Sequence, residues 1–433
     1  MTTIADAPHS VPHRSLLRLR TARRLSSVIA ATAAVLSLSS ACSAGSAEAS
    51  NDAIDLFDAG VVHTVSVDFD EAAYDAMIDT FTSTGDKDWI SATVVIDGVE
   101  HQNVGLRLKG NSSLFGLTAA TAGSPEELPW LIRLDKFVDG EDHQGYEEIV
   151  IRSNSTETAL NEAVAQELLA ATGLASQRPI ETALTVNGSE TVLRLTVEHP
   201  DSEWYEDHFD DENGLLYKAD SEGDYSYRGD DADAYGEAFD QEVGEDDMEP
   251  LIDFLDFINN SDDATFAAEL ADRLDIEAFA TYLAFQDLIG NADDINGRGN
   301  NSYLQYDTAT NRFTVVSWDL NLAFATANVT GAGASAGEGR PGGGPPGGGR
   351  PGGGGPGDQP NVLVDRFMAD EHFASMYEAK TGHLTELLFS SGTVDEVIAA
   401  WTDVLLNGAS DLVPAATVAG DAEAIIAYVD VMR

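Results

Sequence analysis

The chain has 433 residues, of which 23 are Lys or Arg and 75 are Asp or Glu, for a formal net charge of −52. This charge argues against a nucleic-acid-binding protein, which must neutralise phosphates with basic side chains. The 43% of hydrophobic residues is enough for a folded core, and the length favours a large two-lobed domain or two domains. The single cysteine, Cys42, excludes an intramolecular disulfide framework, and the nine histidines contain no HxH or HExxH pair that predicts a histidine zinc site.

Residues 1–42 have the features of an export signal. Five arginines between positions 14 and 24 precede an apolar stretch from Val28 to Leu38, which is too short to span a bilayer. Cys42 stands where a bacterial lipoprotein signal places its lipidated residue, so we expect lipidation at Cys42, with a plain secretory signal as the alternative. Residues 43–54 are mostly small and polar and are expected to form a tether. The protein is therefore expected outside the cytoplasm and attached to the membrane only through this anchor.

The region 55–330 begins with segments in which apolar and polar residues alternate, as in strands. Asp97-Gly98 and Asn187-Gly188 each predict a two-residue hairpin turn. A helix is expected over 158–171, with Ser155 or Thr156 as its cap and Gly173 at its end. The expected strands cover 61–66, 92–96, 104–108, 131–134, 148–151, 182–186 and 192–197.

The chain then becomes rich in helical patterns. Helices are expected at about 249–259, 263–273 and 276–289, followed by a hairpin at 301–306 and 313–318. Residues 331–360 are dominated by Gly and Pro and predict a flexible insertion, because this composition cannot form a core. Residues 361–433 are helical in pattern and are expected to pack on the preceding domain. A strand-rich part followed by a helix-rich part predicts an α+β, two-lobed protein.

A polar cluster from Asn291 to Tyr303 follows an expected helix, and Asp319 ends an expected strand beside Trp318. Two acids and an asparagine on a loop and a nearby strand end suit a hard, oxygen-ligated cation such as Mg²⁺. A carboxylate in this loop is also suited to orienting a hydroxyl nucleophile. The alternative is an ordinary turn without chemistry, because Asn, Asp and Gly are common in turns.

A second polar segment, from Arg107 to Ser113, is a strand that runs into a small turn containing Lys109 and Gly110. The backbone N–H groups of such a turn, with Lys109 nearby, are suited to holding phosphate oxygens. The segment lacks the spacing of a Walker loop, and a solvated hairpin end is the alternative.

Several motifs occur in the order typical of the spore-coat protein H (CotH) kinase family, and the chain resembles secreted actinobacterial members of that family over residues 61–330. The motifs are LRLKGNSS, PWLIRLDKF, ALNEAVAQEL, LTVEH, LLYKAD, GNADDINGRGNNSYLQYD and VVSWDLNLAF. Each is weak alone, but their ordered combination is specific. The resemblance implies an atypical protein-kinase-like fold that uses ATP with Mg²⁺ or Mn²⁺ and transfers the γ-phosphoryl group to serine in protein substrates.

The resemblance also implies roles for residues of the two polar segments. Asp319 matches the metal-binding acid of the family, and Asn301 matches its asparagine before the aromatic strand. The acid that positions the acceptor hydroxyl matches Asp293, with Asp294 as the alternative. Counting five residues back from Asn301, as in ordinary kinases, gives Asn296, which cannot act as a base.

Further matches concern the nucleotide and a second metal contact. Asn321 stands where many members carry a second acid. Because of this departure and of Asn296, a weakened or inactive kinase is an open alternative. Arg133 matches a strand lysine of the family that pairs with phosphates, with Glu162 or Glu167 as its ion-pair partner. The expected nucleotide-binding residues are Lys109, Asn111, Ser112, Arg133 and Glu198.

Two functions from different classes fit these observations. The first is an exported, ATP- and Mg²⁺-dependent protein serine kinase, which the order of Asp293, Asn301 and Asp319 favours. The second is a non-catalytic surface-binding or adhesion protein on the same scaffold. The expected lipid anchor, the Gly/Pro-rich insertion and the scarcity of ATP outside the membrane favour this second function.

Overall fold

Seven strands of the N-terminal half pair into a closed barrel in the order β1-β2-β3-β4-β5-β7-β6. The computed structural model describes residues 54–118, 121–220, 223–291, 293–296, 300–325 and 361–433. Neighbouring barrel strands are antiparallel except β1 and β6, whose parallel pairing closes the barrel. The strands are β1 (Val62–Phe69), β2 (Ile90–Ile96), β3 (Val99–Leu108), β4 (Trp130–Arg133), β5 (Glu148–Ile151), β6 (Pro179–Val186) and β7 (Val192–Glu198).

The two expected hairpin turns connect β2 to β3 and β6 to β7. Asp97 and Gly98 have φ angles of 47° and 85°, and Asn187 and Gly188 have φ angles of 47° and 69°. A two-residue turn with positive φ at both positions matches the twist of antiparallel strands, and Asn, Asp and Gly tolerate that conformation best. Both predicted hairpins are confirmed.

Strands β4 and β5 are buried on both faces. Ile132 and Ile149 belong to a core cluster that draws on all seven barrel strands and on the helix after β1, whereas Leu131 and Val150 belong to a second cluster that draws on only some of the strands and on later helices. Because all seven strands contribute to it, the first cluster fills the barrel, and the second covers part of its outside. This double burial explains why β4 and β5 are continuous apolar runs in the sequence.

Two helices accompany the barrel strands. Helix α1 (Glu71–Thr84) begins after Asp70, whose side chain accepts a hydrogen bond from Ala73 N, and ends at Gly85 in the left-handed conformation. The sequence analysis did not predict α1. The predicted helix over 158–171 is present as α2 (Leu160–Ala171), and its buried face packs outside the barrel.

A second sheet of four strands follows, in the order β11-β10-β8-β9. Helices of the second half pack around it in a separate apolar cluster rich in Phe and Tyr. The elements are α3 (Ser202–His208), β8 (Leu215–Ala219), β9 (Phe239–Val243), α4 (Glu249–Asn260), α5 (Asp263–Glu269), α6 (Ile276–Leu288), β10 (Ser302–Asp307) and β11 (Arg312–Ser317).

The C-terminal region contributes four more helices, α7 (Val362–Ala369), α8 (Glu371–Leu384), α9 (Thr393–Gly408) and α10 (Ala415–Met432). Helix α8 contacts α6, and α9 contacts α2 and β1. A π-helical segment, Thr385–Ser390, connects α8 to the turn before α9. Within the described residues, no helix is long and apolar enough to cross a membrane.

The mixture of sheets and helices agrees with the expected α+β class, whereas the division into two lobes stays a prediction. The chain from Ala53 onward clusters as one compact unit. The expected export signal, Cys42, nearly all of the expected tether and the whole of the expected Gly/Pro-rich insertion lie outside the described residues.

One carboxyl group on the outside of the barrel is buried without a hydrogen-bond partner among the described residues. Glu181 on β6 is fully buried, and neither of its carboxylate oxygens has a hydrogen-bond partner in the part of the chain that the structure describes. Its neighbours in the sheet are Val62 and Leu195, which pack in the apolar cluster outside the barrel. Burial raises the pKa of Glu181 well above 4.5, so the folded protein holds this carboxyl neutral.

Glu181→Gln is expected to stabilise the protein at pH 8 and to have little effect at pH 4. The pKa of Glu181 is higher in the folded than in the unfolded chain, so its contribution to stability is complete below the unfolded pKa and is lost as the pH rises toward the folded pKa. In that window, the difference between variant and parent grows by about 1.4 kcal/mol per pH unit.

Urea denaturation of both proteins from pH 4 to pH 8 measures this difference. Glu190→Gln on the adjacent hairpin is the matched control, because Glu190 is exposed. A Glu181→Gln difference that does not change with pH would show that the carboxylate has a partner.

Candidate active site

The paired strands β10 and β11 bring two predicted residues together at one end of the second sheet. Ser302 on β10 is paired with Ser317 on β11. Asn301 and Trp318 therefore lie next to each other just beyond the end of this strand pair. Trp318 N donates a hydrogen bond to Asn301 O at 3.2 Å. Asn301 and Asp319 have φ angles of 59° and 60°, the left-handed conformation that Asn and Asp tolerate better than most residues.

Asp293 lies against the same junction, on the loop that follows α6. The Asn301 side-chain amide donates to Asp293 O at 2.8 Å. Burial raises the pKa of the Asp293 carboxyl, and the negative charge of Asp319 raises it further. The structure therefore brings Asp293, Asn301 and Asp319 together. Asp294 is buried beside them, and its Oδ1 accepts from Asn296 N at 2.9 Å within the turn.

A largely buried arginine connects this junction to the barrel. Arg152 follows β5, and its guanidinium donates to Asp319 and lies 3.1 Å from Glu162 on α2. The guanidinium also lies over the Trp318 ring, 5.7 Å from its centre. One cation thus serves two carboxylates. Burial raises the pKa of Glu162; Arg152 opposes this rise and Asp319 adds to it.

Lys109, the residue after β3, also lies near the Trp318 ring. Its Nζ lies 5.6 Å from the ring centre and 2.6 Å from His199 Nε2. Lys109 and Arg152 therefore contact the same indole ring. The turn after Lys109 is tight: Gly110 has φ 92°, and a Cβ there would lie 2.4 Å from Ser113 Oγ.

Lys109 belongs to a group of four cations, which we call the basic cluster: Lys87, Arg107, Lys109 and Lys218. Burial lowers the pKa of Lys109 to about 7, and the charges of Lys218 and Arg107 lower it further. The pKa of Lys87 is also lowered, first by burial and then by Lys218 and Arg107. Such a concentration of positive charge is exceptional in a chain with net charge −52.

Nearby acids compensate part of the basic cluster. Lys218 Nζ lies 3.1 Å from Asp220 and 4.0 Å from Glu242. Burial and the charge of Asp220 raise the pKa of Asp240 on β9 to about 6.

Arg107 differs from these compensated cations. Its guanidinium lies 4.7 Å from the centre of the Trp89 ring, and among the described residues it has no hydrogen-bond or ion-pair partner. An orphaned, buried Arg107 Nε is a donor suited to an anionic ligand.

The remaining predicted residues have other surroundings. Arg133 donates to Asp135 at 2.6 Å and lies 3.1 Å from Glu148. The expected ion pair between Arg133 and Glu162 is wrong, because Glu162 pairs with Arg152.

Glu198 and Asn111 also have partners outside the Asp319 junction. Glu198 is buried, and its carboxylate accepts from Arg178 Nε at 3.1 and 3.2 Å. Asn111 is exposed and accepts from Lys87 Nζ at 2.9 Å. The side chain of Ser112 is outside the described part of the structure.

Arg152 and His199 were not predicted from the sequence, and Lys218 was given no role. Each is a charged or titratable residue within or directly after an apolar strand, which is a signal available in the sequence. Strand patterns alone do not reveal that Arg152 and His199 meet at Trp318, because these residues lie far apart along the chain.

The model of the family described as CotH kinase protein matches residues 106–411, and the chain belongs to this family. No curated protein matches it. Among solved structures, the proinflammatory kinase CtkA of Helicobacter pylori is similar with a TM-score of 0.33 and 10% identity, over 66% of this chain and 90% of that chain.

Arg152→Met is expected to destabilise the protein by about 3–5 kcal/mol, because it leaves Glu162 buried without its cation. The double variant with Glu162→Met is expected to recover much of this loss, since it removes the unpaired charge. Denaturant unfolding measures both. The control is Arg273→Met, because the Arg273–Glu269 pair is exposed and such pairs contribute about 0–1 kcal/mol. An Arg152→Met loss no larger than that of the control would contradict the account.

Proposed function

We propose that this CotH-family protein is an exported protein kinase that transfers the γ-phosphoryl group of ATP to serine in protein substrates. The observation that carries the proposal is that Asp293, Asn301 and Asp319 lie together and are connected to the basic cluster through Trp318, whose ring is near both Lys109 and Arg152, the partner of Asp319. Phosphoryl transfer depends mainly on positioning and charge stabilisation, which such an arrangement supplies.

The residues at the junction fit a divalent cation such as Mg²⁺ or Mn²⁺. Asp319 and Asn301 offer carboxylate and amide oxygens, the donors that Mg²⁺ prefers. When ionised, Asp293, Asp319 and Glu162 carry three negative charges against the single positive charge of Arg152, so a divalent cation balances the site. A bound metal ion would neutralise part of the negative charge of the phosphates.

The basic cluster fits the phosphates of ATP. Arg107 lacks a partner among the described residues, and Lys109 is held over Trp318 with its Nζ near His199. Both side chains are donors for phosphate oxygens, and the turn with Asn111 and Ser112 follows directly. Arg133 and Glu198 remain proposed contacts of lower priority, because acidic and basic neighbours already engage them.

Asp293 is the proposed residue that orients the acceptor hydroxyl. The raised pKa makes the Asp293 carboxylate more basic than an ordinary aspartate. It is therefore suited to accept a hydrogen bond from the serine hydroxyl. Asp293 is preferred over Asn296 for two reasons. Its backbone carbonyl accepts a hydrogen bond from the Asn301 amide, and the negative charge of Asp319 raises the pKa of its carboxyl. Asp294 is the second candidate.

Asp319→Asn is expected to abolish Mg²⁺-dependent ATP binding and phosphoryl transfer, because the site loses its main metal ligand. Asp293→Asn is expected to keep ATP binding and to lower transfer by about 10²-fold or more, as for loss of a positioned acid–base group. Titration calorimetry measures binding, and transfer from labelled ATP followed by phosphoamino-acid analysis measures turnover and identifies serine.

Asp272→Asn is the matched control for these variants, because Asp272 is exposed on another element. If both site variants bind and transfer like the parent, the assignment of this junction is wrong. If the folded parent binds no ATP with Mg²⁺ or Mn²⁺, the alternative of a non-catalytic surface-binding or adhesion protein replaces the kinase.

We also propose that the protein is exported and lipidated at Cys42, which remains a proposal from the sequence. Cys42→Ser is expected to move the protein from the membrane fraction to the soluble extracytoplasmic fraction. Fractionation and immunoblotting of cells that express each form measure this. Equal membrane retention of the variant would contradict a lipid anchor at this cysteine.

A further inference from the structure

A buried histidine connects a carboxylate to Lys109, one of the proposed phosphate-binding cations. Ile149 on β5 is paired with Glu198 on β7, so Glu148 and His199 lie opposite each other beside that pair. Glu148 Oε2 lies 2.6 Å from His199 Nδ1, and His199 Nε2 lies 2.6 Å from Lys109 Nζ. We call Glu148, His199 and Lys109 the His199 bridge.

The two neighbours of His199 determine which ring nitrogen carries the proton. An ammonium group can only donate, so Nε2 accepts from Lys109 and the proton is on Nδ1, which donates to Glu148. Burial alone would raise the pKa of Glu148, but the hydrogen bond and charge of His199, with the charges of Arg133 and Lys109, lower it to about 2. Burial lowers the pKa of His199, and the charge of Lys109 lowers it further, whereas Glu148 opposes this change. A neutral imidazole between a carboxylate and an ammonium is therefore favoured at neutral pH.

The His199 bridge leaves part of the Lys109 ammonium available to a ligand. Among the described residues, His199 is the one hydrogen-bond partner of Lys109 Nζ. Because an ammonium has three N–H donors, two remain. The His199 ring lies edge-on to Trp318, with ring centres 6.2 Å apart, and Lys109 Nζ lies 5.6 Å from the centre of the same indole. These contacts hold a long side chain in one place before any ligand binds.

We propose that His199 and Glu148 are positioning residues for ATP binding: His199 holds the Lys109 ammonium in place for the phosphates, and Glu148 holds His199 in the required tautomer. The inference rests on the proposed function, because it concerns the phosphates of ATP. Neither residue has to touch the nucleotide. A donor that is already held in place loses less side-chain entropy when the anion binds, so the complex is tighter.

Titration calorimetry of the full chain with ATP and Mg²⁺ tests the proposal. His199→Phe keeps a ring against Trp318 but removes the acceptor for Lys109, so it is expected to weaken ATP binding about 10-fold or more. His199→Gln is expected to retain most of the affinity, because its side-chain carbonyl replaces Nε2 as the acceptor. His208→Phe is the matched control, since His208 is exposed and stacks on Trp204, and it is expected to bind ATP like the parent.

A double variant separates positioning from a general structural effect. In a Lys109→Met background, His199→Phe is expected to cause no further loss of ATP affinity, because His199 acts through Lys109. NMR of the parent with ¹⁵N-labelled histidine gives a readout that needs no ATP. The His199 signals, identified by their absence in His199→Gln, are expected to show the proton on Nδ1. Glu148→Gln is expected to move this proton resonance upfield, because a neutral acceptor forms a weaker hydrogen bond.

The outcomes separate this inference from the proposed function. Equal ATP affinity of His199→Phe and the parent, a further loss in the double variant, or a His199 proton on Nε2 would overturn the positioning role and leave the kinase proposal standing. If His199→Phe does not fold, the tautomer in the parent and the shift in Glu148→Gln decide. Absence of ATP binding by the folded parent would overturn the proposed function and the role of the His199 bridge with it.

Discussion

The ion pairs of the largely buried Arg152 guanidinium are the interaction on which the candidate active site depends. The guanidinium joins the end of a barrel strand to Glu162 on α2 and to Asp319 beyond the second sheet, and it lies over the Trp318 ring. A buried cation without these acids would be costly, and either acid without the cation would be equally so. The ion pairs therefore connect the end of β5 to α2 and to Asp319, whose charge acts on Asp293.

The distribution of charge explains how so acidic a chain can offer a site for an anion. The net charge of −52 repels nucleotides at long range, but salt and divalent ions screen exposed charges beyond about 10 Å. At short range, Lys109 and Arg107 lie on aromatic rings in a basic cluster, and Arg107 has no acidic partner among the described residues. The affinity of the proposed site for an anion therefore depends on the local arrangement of these cations. The overall charge determines how that affinity changes with salt concentration.

Much of the fold follows from local sequence signals. The hairpin turns at Asp97 and Asn187 and the strand pair just before Asp319 are visible in the sequence because turn chemistry and apolar alternation act over a few residues. Closure of the barrel by parallel pairing of β1 with β6 was not predictable, because it joins segments more than a hundred residues apart. The same holds for the contact of Lys109 with His199 and for the partner of Glu162, which family position suggested to be Arg133 but which is Arg152.

The central claim is that Asp319 and Asn301 form a metal site that serves a nucleotide held by the basic cluster. The most direct test is a crystal structure of the protein with Mn²⁺ and a non-hydrolysable ATP analogue, in which anomalous scattering locates the metal. The account predicts a Mn²⁺ peak at the oxygens of Asp319 and Asn301, with analogue phosphates contacting Lys109 and Arg107. A Mn²⁺ peak distant from Asp319, or an analogue bound elsewhere on the chain, would contradict it.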